Sequence, residues 1–232
     1  MSNDDTVNRF ALLVLESPWW EPKRNKSRPT CLHFLQGVEK LSNNFNIYNS
    51  IFYELRGFVD ALTDISETNE KRQILYIGAH GQKAEIANAR ASTVISKIGE
   101  IAKNVESIII SSCFVGSNID NLRAAFTNSK KVRWVIGYKA SVNWLTSTLI
   151  ESAIISELSR YKSSNYDPKD QKQVINILSD ALSIFNPLSV AGEDENESSV
   201  NLMNCLVVLH RRGGVSEPED ISSKIWKSHE QR

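Results

Sequence analysis

The sequence predicts an α/β protein, a three-layer α/β/α sandwich around a mostly parallel six-stranded sheet. Short apolar runs of strand length alternate along the chain with stretches whose apolar residues recur at helical spacing. Several of the runs are apolar at nearly every position, as strands covered on both faces are. The links between them are short, and right-handed crossovers then place helices on both sides of the sheet.

Residues 10–15, Phe-Ala-Leu-Leu-Val-Leu, make the first, central strand. Leu32, Leu35, Val38 and Leu41 mark a helix, and residues 46–53 have the period of two of a half-exposed strand near the sheet edge. Leu55, Phe58, Val59, Leu62 and Ile65 form the next helix, followed by an apolar run that ends at His80-Gly81. Val94, Ile95, Ile98 and Ile101 repeat the helical pattern before a run that ends at Cys113. A short helix through Ile119, Leu122, Ala125 and Phe126 leads to a fifth strand over 132–138. Two longer helices follow, one from about Trp144 and one from Pro168, where Asp167 suits the N-cap and proline the first helical position. Residues 191–200 are acidic and without aromatics, which predicts a mobile loop before a last strand over 205–210.

At 232 residues the chain is the size of one domain, 1–232, with a core over about 10–210 and a polar tail over 211–232. Such a domain buries roughly 70% of the surface its unfolded chain exposes. Lys plus Arg and Asp plus Glu both total 27, so no net field draws the protein to nucleic acid or to an anionic membrane. The first residues are acidic and polar, and no apolar stretch nears the ~18 residues of a membrane span. The expectation is a soluble, cytoplasmic protein. Cys31, Cys113 and Cys205 show no zinc or disulfide spacing.

The chemistry lies at two strand tips. An imidazole, His80, and a thiol, Cys113, end successive strands of a sheet whose ligands gather at the carboxyl end. An ordinary thiol, with pKa about 8.5, is only a few per cent thiolate at neutral pH, and a neighbouring imidazole raises that fraction. His80 can then protonate a leaving amine. Gly81, without a Cβ, brings its N–H close to a substrate carbonyl, and the N–H of Cys113 offers a second oxyanion donor. A phosphatase loop would need arginine at position 119, which is Ile. Gly-Lys-Ser/Thr phosphate loops, Gly-x-Gly-x-x-Gly turns and Gly-x-Ser-x-Gly elbows are absent from the sequence.

Three segments together resemble the caspase-like cysteine peptidases, which include caspases, metacaspases and bacterial CHAT-type peptidases. They are Tyr-Ile-Gly-Ala-His-Gly over 76–81, Ile-Ser-Ser-Cys over 110–113, and Val-Ile-Gly-Tyr over 135–138 with Ser-Val-Asn-Trp over 141–144. The resemblance covers residues 10 to about 210. It implies a caspase-like fold with the His80 and Cys113 strands adjacent, and a cysteine endopeptidase that hydrolyses peptide bonds. Carried over by motif, His80 is the general base and acid, Cys113 the nucleophile, and Gly81 with Cys113 the oxyanion donors. Ser111, Tyr138, Asn143 and Trp144 become the substrate-binding pocket. No metal or organic cofactor is implied. The partners implied are a protein or peptide substrate and, where such an enzyme is latent, an activating protein, often within a defence or stress circuit.

Arg-specific relatives carry an acid two positions before the cysteine, where this chain has Ser111, so a neutral or apolar residue before the scissile bond is expected. Two other readings stay open: an idle caspase-fold module that binds a partner, and a sulfurtransferase-like thiol enzyme. Cys31 and Cys205 read as core residues, and Ser117 and Asn118 as caps of the following helix. Trp19 and Trp20 sit in a loop leaving the first strand, as a cleft wall, a partner contact or local packing. Lys23, Arg24, Lys26 and Arg28 read as a solvated loop, and the acidic stretch 193–197 likewise.

Overall fold

The computed structural model describes residues 9–18, 30–42, 44–82, 85–161 and 165–230. Its first half is a relay of strands and helices: β1 (Phe10–Glu16), α1 (Leu32–Ser42), β2 (Phe45–Ile51), α2 (Leu55–Ser66) and β3 (Gln73–Gly78). A small meander, β4 (Gly81–Gln82), β5 (Glu85–Ile86) and β6 (Ala89–Arg90), then precedes α3 (Ala91–Ile101) and β7 (Val105–Ser111). The second half runs α4 (Ile119–Thr127), β8 (Trp134–Tyr138), β9 (Ser141–Val142), α5 (Trp144–Ser159) and α6 (Gln171–Leu182). It closes with β10 (Val190–Glu193), β11 (Ser199–Asn201), α7 (Leu202–Cys205), β12 (Leu206–His210), β13 (Glu219–Asp220) and α8 (Ser222–His229).

The central sheet has the order β13-β12-β8-β7-β3-β1-β2. The five strands from β8 to β2 run parallel, while β12 and β13 are antiparallel to their neighbours. Alternation along the strands splits the core in two. Phe10, Leu12 and Val14 of β1, Ile74 and Tyr76 of β3, and Trp134, Ile136 and Tyr138 of β8 pack with α1, α5, α6 and α8. Ala11, Leu13, Leu15, Leu75, Ile77, Ile108 and Ile110 face the other way, onto α2, α3 and α4. The three-layer arrangement follows directly from strands buried on both faces.

The sheet has seven strands, where six were expected. The seventh, β13, comes from the stretch expected to be a polar tail. Ile221, Ile225 and Trp226 in that stretch are buried, and three apolar side chains within six residues suffice to fold α8 back onto α6 and β12. The acidic stretch 191–200 is ordered as well. The Asp194 carboxylate accepts hydrogen bonds from the N–H groups of Asn196 (2.8 Å) and Ser198 (2.9 Å), closing the β10–β11 hairpin. Glu193, Glu195 and Glu197 are exposed around this turn, and charge alone had suggested mobility. The cap of α6 is Asp170, which accepts from Lys172 N and Gln173 N, rather than Asp167. Asn118 caps α4 through Asp120 N, whereas the Ser117 hydroxyl donates back to Phe114 O. Trp19, Trp20 and the basic residues 23–28 lie outside the described residues. Among the described residues, no helix is long and apolar enough to cross a membrane.

Candidate active site

Parallel pairing sets the level of each strand tip. In register, Glu16 of β1 lies beside Gly78 of β3, and Gly78 beside Ser111 of β7. Tyr138 lies two residues beyond Ile136, as Ser111 lies two beyond its partner Ile109. With a side-chain period of two, these four residues share the face that carries α1 and α5. A large side chain stands at each end of the row, and glycine and serine stand in the middle. The gap so left opens as a cleft. Tyr76, one row deeper, lines it from below, and Trp144 and Ser147 of α5 line it from above. Trp144 is braced edge-on by Phe34 of α1.

His80 and Cys113 both border this cleft, His80 exposed and Cys113 half-buried. The chain keeps the two segments in contact beyond the strands themselves. Ala79 N donates to Ser111 O (3.1 Å), and a Cβ on Gly81 would lie 2.0 Å from Cys113 O and 2.7 Å from Cys113 N. Only glycine fits there, so Gly81 brings the His80 loop directly against the backbone of Cys113. The meander holds the other side of His80 through Ala87 N to His80 O (3.2 Å), which extends the β4–β5 pairing, and a tight turn with Ala87 and Asn88 at positive φ then leads to β6.

After Cys113 the backbone turns sharply. Phe114 has φ +61°, a conformation costing a bulky residue about 1–2 kcal/mol. Phe114 N donates to Ala140 O (3.2 Å) and Gly116 N to Tyr138 O (2.8 Å), so the segment is fastened to the end of β8. A strained residue fixed by its neighbours is common where a side chain must be aimed.

Of the pocket residues read from the sequence, Ser111, Tyr138 and Trp144 line the cleft. Asn143 does not. Its side chain caps α5, accepting from Leu145 N (3.0 Å) and Thr146 N (3.4 Å), and it borders a separate shallow groove with β10.

The structure adds two acids the sequence reading passed over. Glu16 lines the cleft at 8% exposure, and its carboxylate accepts from the Thr30 hydroxyl, Cys31 N (3.0 Å) and the Cys31 thiol (3.1 Å). Glu151, on α5, is wholly buried behind the cleft floor and accepts from Tyr76 OH (2.7 Å) and Tyr138 OH (3.0 Å). Burial pushes the Glu151 carboxyl up to about 7, although the hydroxyls of Tyr76, Ser111 and Tyr138 favour its ionised form. Both tyrosines are held well above the usual phenol range, first by burial and then by Glu151. Both acids had a legible signal. Glu16 ends an otherwise apolar strand at the same tip level as the dyad, and Glu151 follows Trp144 by seven residues, two helical turns.

Cys31 and Cys205 are buried, as expected of core residues. Burial, reinforced at Cys31 by Glu16, pushes the Cys31 thiol far up, and burial raises Cys205 to about 11. Among the described residues no group of His, Cys, Asp and Glu could hold a metal ion. Neither a protein-family model nor a curated protein matches the chain.

Proposed function

We propose that the protein is a cysteine endopeptidase of caspase-like type, with Cys113 as nucleophile and His80 as proton carrier. The observation that carries this reading is the contact of Gly81 with the backbone of Cys113. It joins an imidazole-bearing loop to a thiol-bearing turn at the edge of one cleft. In the proposed reaction His80 takes the Cys113 proton, and the thiolate attacks the scissile carbonyl to form a tetrahedral intermediate. The N–H groups of Gly81 and Cys113 hold its oxyanion, each such donor being worth about 3 kcal/mol. Collapse expels the amine with a proton from His80, and water then releases the acyl group from sulfur, with His80 again the base. The chemistry needs only these side chains and water.

The test is digestion of a complex peptide library by the wild-type protein and by Cys113→Ala, with new termini identified by mass spectrometry. The expected result is a set of cuts made by wild type alone, sharing one preferred residue before the cut. Identical products from both proteins would overturn the assignment of Cys113.

A further inference from the structure

Resting on the peptidase reading, we propose that the cleft beside Cys113 takes a cationic side chain, arginine or lysine, from the substrate residue before the scissile bond, with Glu16 as its direct partner. The sequence had pointed to a neutral side chain, because Ser111 stands where an acid would be sought. The acid is present, but it comes from other elements. Glu16 reaches the cleft from the neighbouring strand tip, across Gly78. A Cβ at Gly78 would lie 3.7 Å from Glu16 Oε1 and 3.2 Å from Tyr76 Cε1, so the missing side chain is what opens the Glu16 carboxylate to the cleft.

The local charge balance favours a cation. The ion pairs among the described residues are Arg72–Glu106, Lys97–Glu100, Arg123–Asp120, Arg160–Glu157 and those of Glu219 with Arg212 and Lys224. None includes Glu16 or Glu151. Among the described residues, two buried carboxyl groups thus flank one cavity with N–H, thiol and hydroxyl donors around them, Glu16 at its edge and Glu151 behind the tyrosine floor. The remaining lining suits a group rich in N–H donors. Ser111 and Ser147 present hydroxyl oxygens 3.5 Å apart, and the buried Ser112 hydroxyl at the cleft border has no hydrogen-bond partner among the described residues. Trp144 supplies a flat wall along which an aliphatic stem or a guanidinium plane can lie.

The test compares fluorogenic peptides identical except for arginine, citrulline or leucine before the cut. Citrulline keeps the shape of arginine and removes its charge. The arginine peptide should be cleaved at least ~100-fold more efficiently (kcat/KM) than the citrulline peptide, the scale of a buried charge pair left half-made. Glu16→Gln should erase most of that gap by slowing the arginine peptide far more than the citrulline peptide. Equal cleavage of arginine and citrulline peptides, or preference for leucine, would overturn the proposal and leave the peptidase intact. Turnover of none of the peptides would count against the peptidase reading itself, and binding then decides the pocket. Titrating Cys113→Ala protein with the arginine and citrulline peptides by calorimetry should show about tenfold or greater preference for arginine, lost on adding Glu16→Gln. Equal affinity, or no binding of either, overturns the proposal.

Discussion

The two ends of the central sheet differ in how tightly they hold their charged groups. At the amino ends of the parallel strands, two arginines are each tied to several partners. Arg72 pairs with Glu106 at 2.9 Å and lies over the Tyr166 ring, and Arg211 donates to the carbonyls of Phe126, Ser129 and Val132 at 2.6–3.2 Å. At the carboxyl ends, Glu16 and Glu151 are buried among neutral donors, a strained Phe114 follows a half-buried thiol, and a cleft remains open. One end is finished as structure. The other keeps, among the described residues, buried carboxyl groups with no cation beside them, together with backbone strain, features that chemistry uses.

Breaking the dyad should give the largest effect. Cys113→Ala and His80→Ala should each lower peptide cleavage by about 10^4-fold. Circular dichroism and thermal melting should stay near wild type, and substantial residual turnover in either variant would remove that residue from the mechanism.

Gly81→Ala comes next. Its Cβ must push the His80 loop away from Cys113, and a displacement of that kind costs roughly 100-fold in kcat/KM. A variant with wild-type kinetics would show that the close approach of the two segments is irrelevant to turnover.

Glu151→Gln sharpens the comparison through pH. Because the folded carboxyl titrates near 7, above its ordinary 4.5, the native state holds a proton that the unfolded chain releases between those values. Wild-type stability therefore falls as pH rises from about 4.5 to 7, by an amount on the order of 3 kcal/mol. Glu151→Gln lacks this slope, so urea midpoints of the two proteins should diverge in favour of the glutamine variant between pH 5 and pH 8. Parallel midpoints would mean that the buried carboxyl is already compensated.

At the finished end, Arg211→Ala should cost about 2 kcal/mol by leaving three carbonyls without their donor, read as a lower urea midpoint. Cleavage per folded molecule should not change. A loss of kcat at full folding would show that the two ends are coupled.

Most of the architecture was legible because the strands are apolar on both faces, and runs such as 10–15 and 108–110 leave few other readings. What escaped was short. The meander over 81–90 and the strand at Glu219–Asp220 are built from two-residue pairings that depend on turns and neighbours, not on periodicity. The same holds at the site. His80, Gly81 and Cys113 could be read from their strand tips, and Ser111, Tyr138 and Trp144 from the resemblance. Asn143 was misplaced because a residue opening a helix serves its own backbone first. Glu16 and Glu151 could be recovered only by counting strand rows and helical turns across elements far apart in the chain.

Strand β13 has a consequence for how this sheet meets other chains. Its two residues pair with Leu209 and His210 of β12, and just beyond them Ile221 N donates to Val208 O while Val208 N donates to the Ser222 hydroxyl. The outer margin of β12 is thereby occupied over three successive residues, by a strand too short to serve as a template itself. At the opposite margin β2 runs seven residues, with only Phe45 fully buried. Among the described residues the sheet thus has one short, closed margin and one long margin, where the Glu39 carboxylate takes the Ile47 N–H (2.9 Å) and so occupies one of the backbone groups an added strand would need.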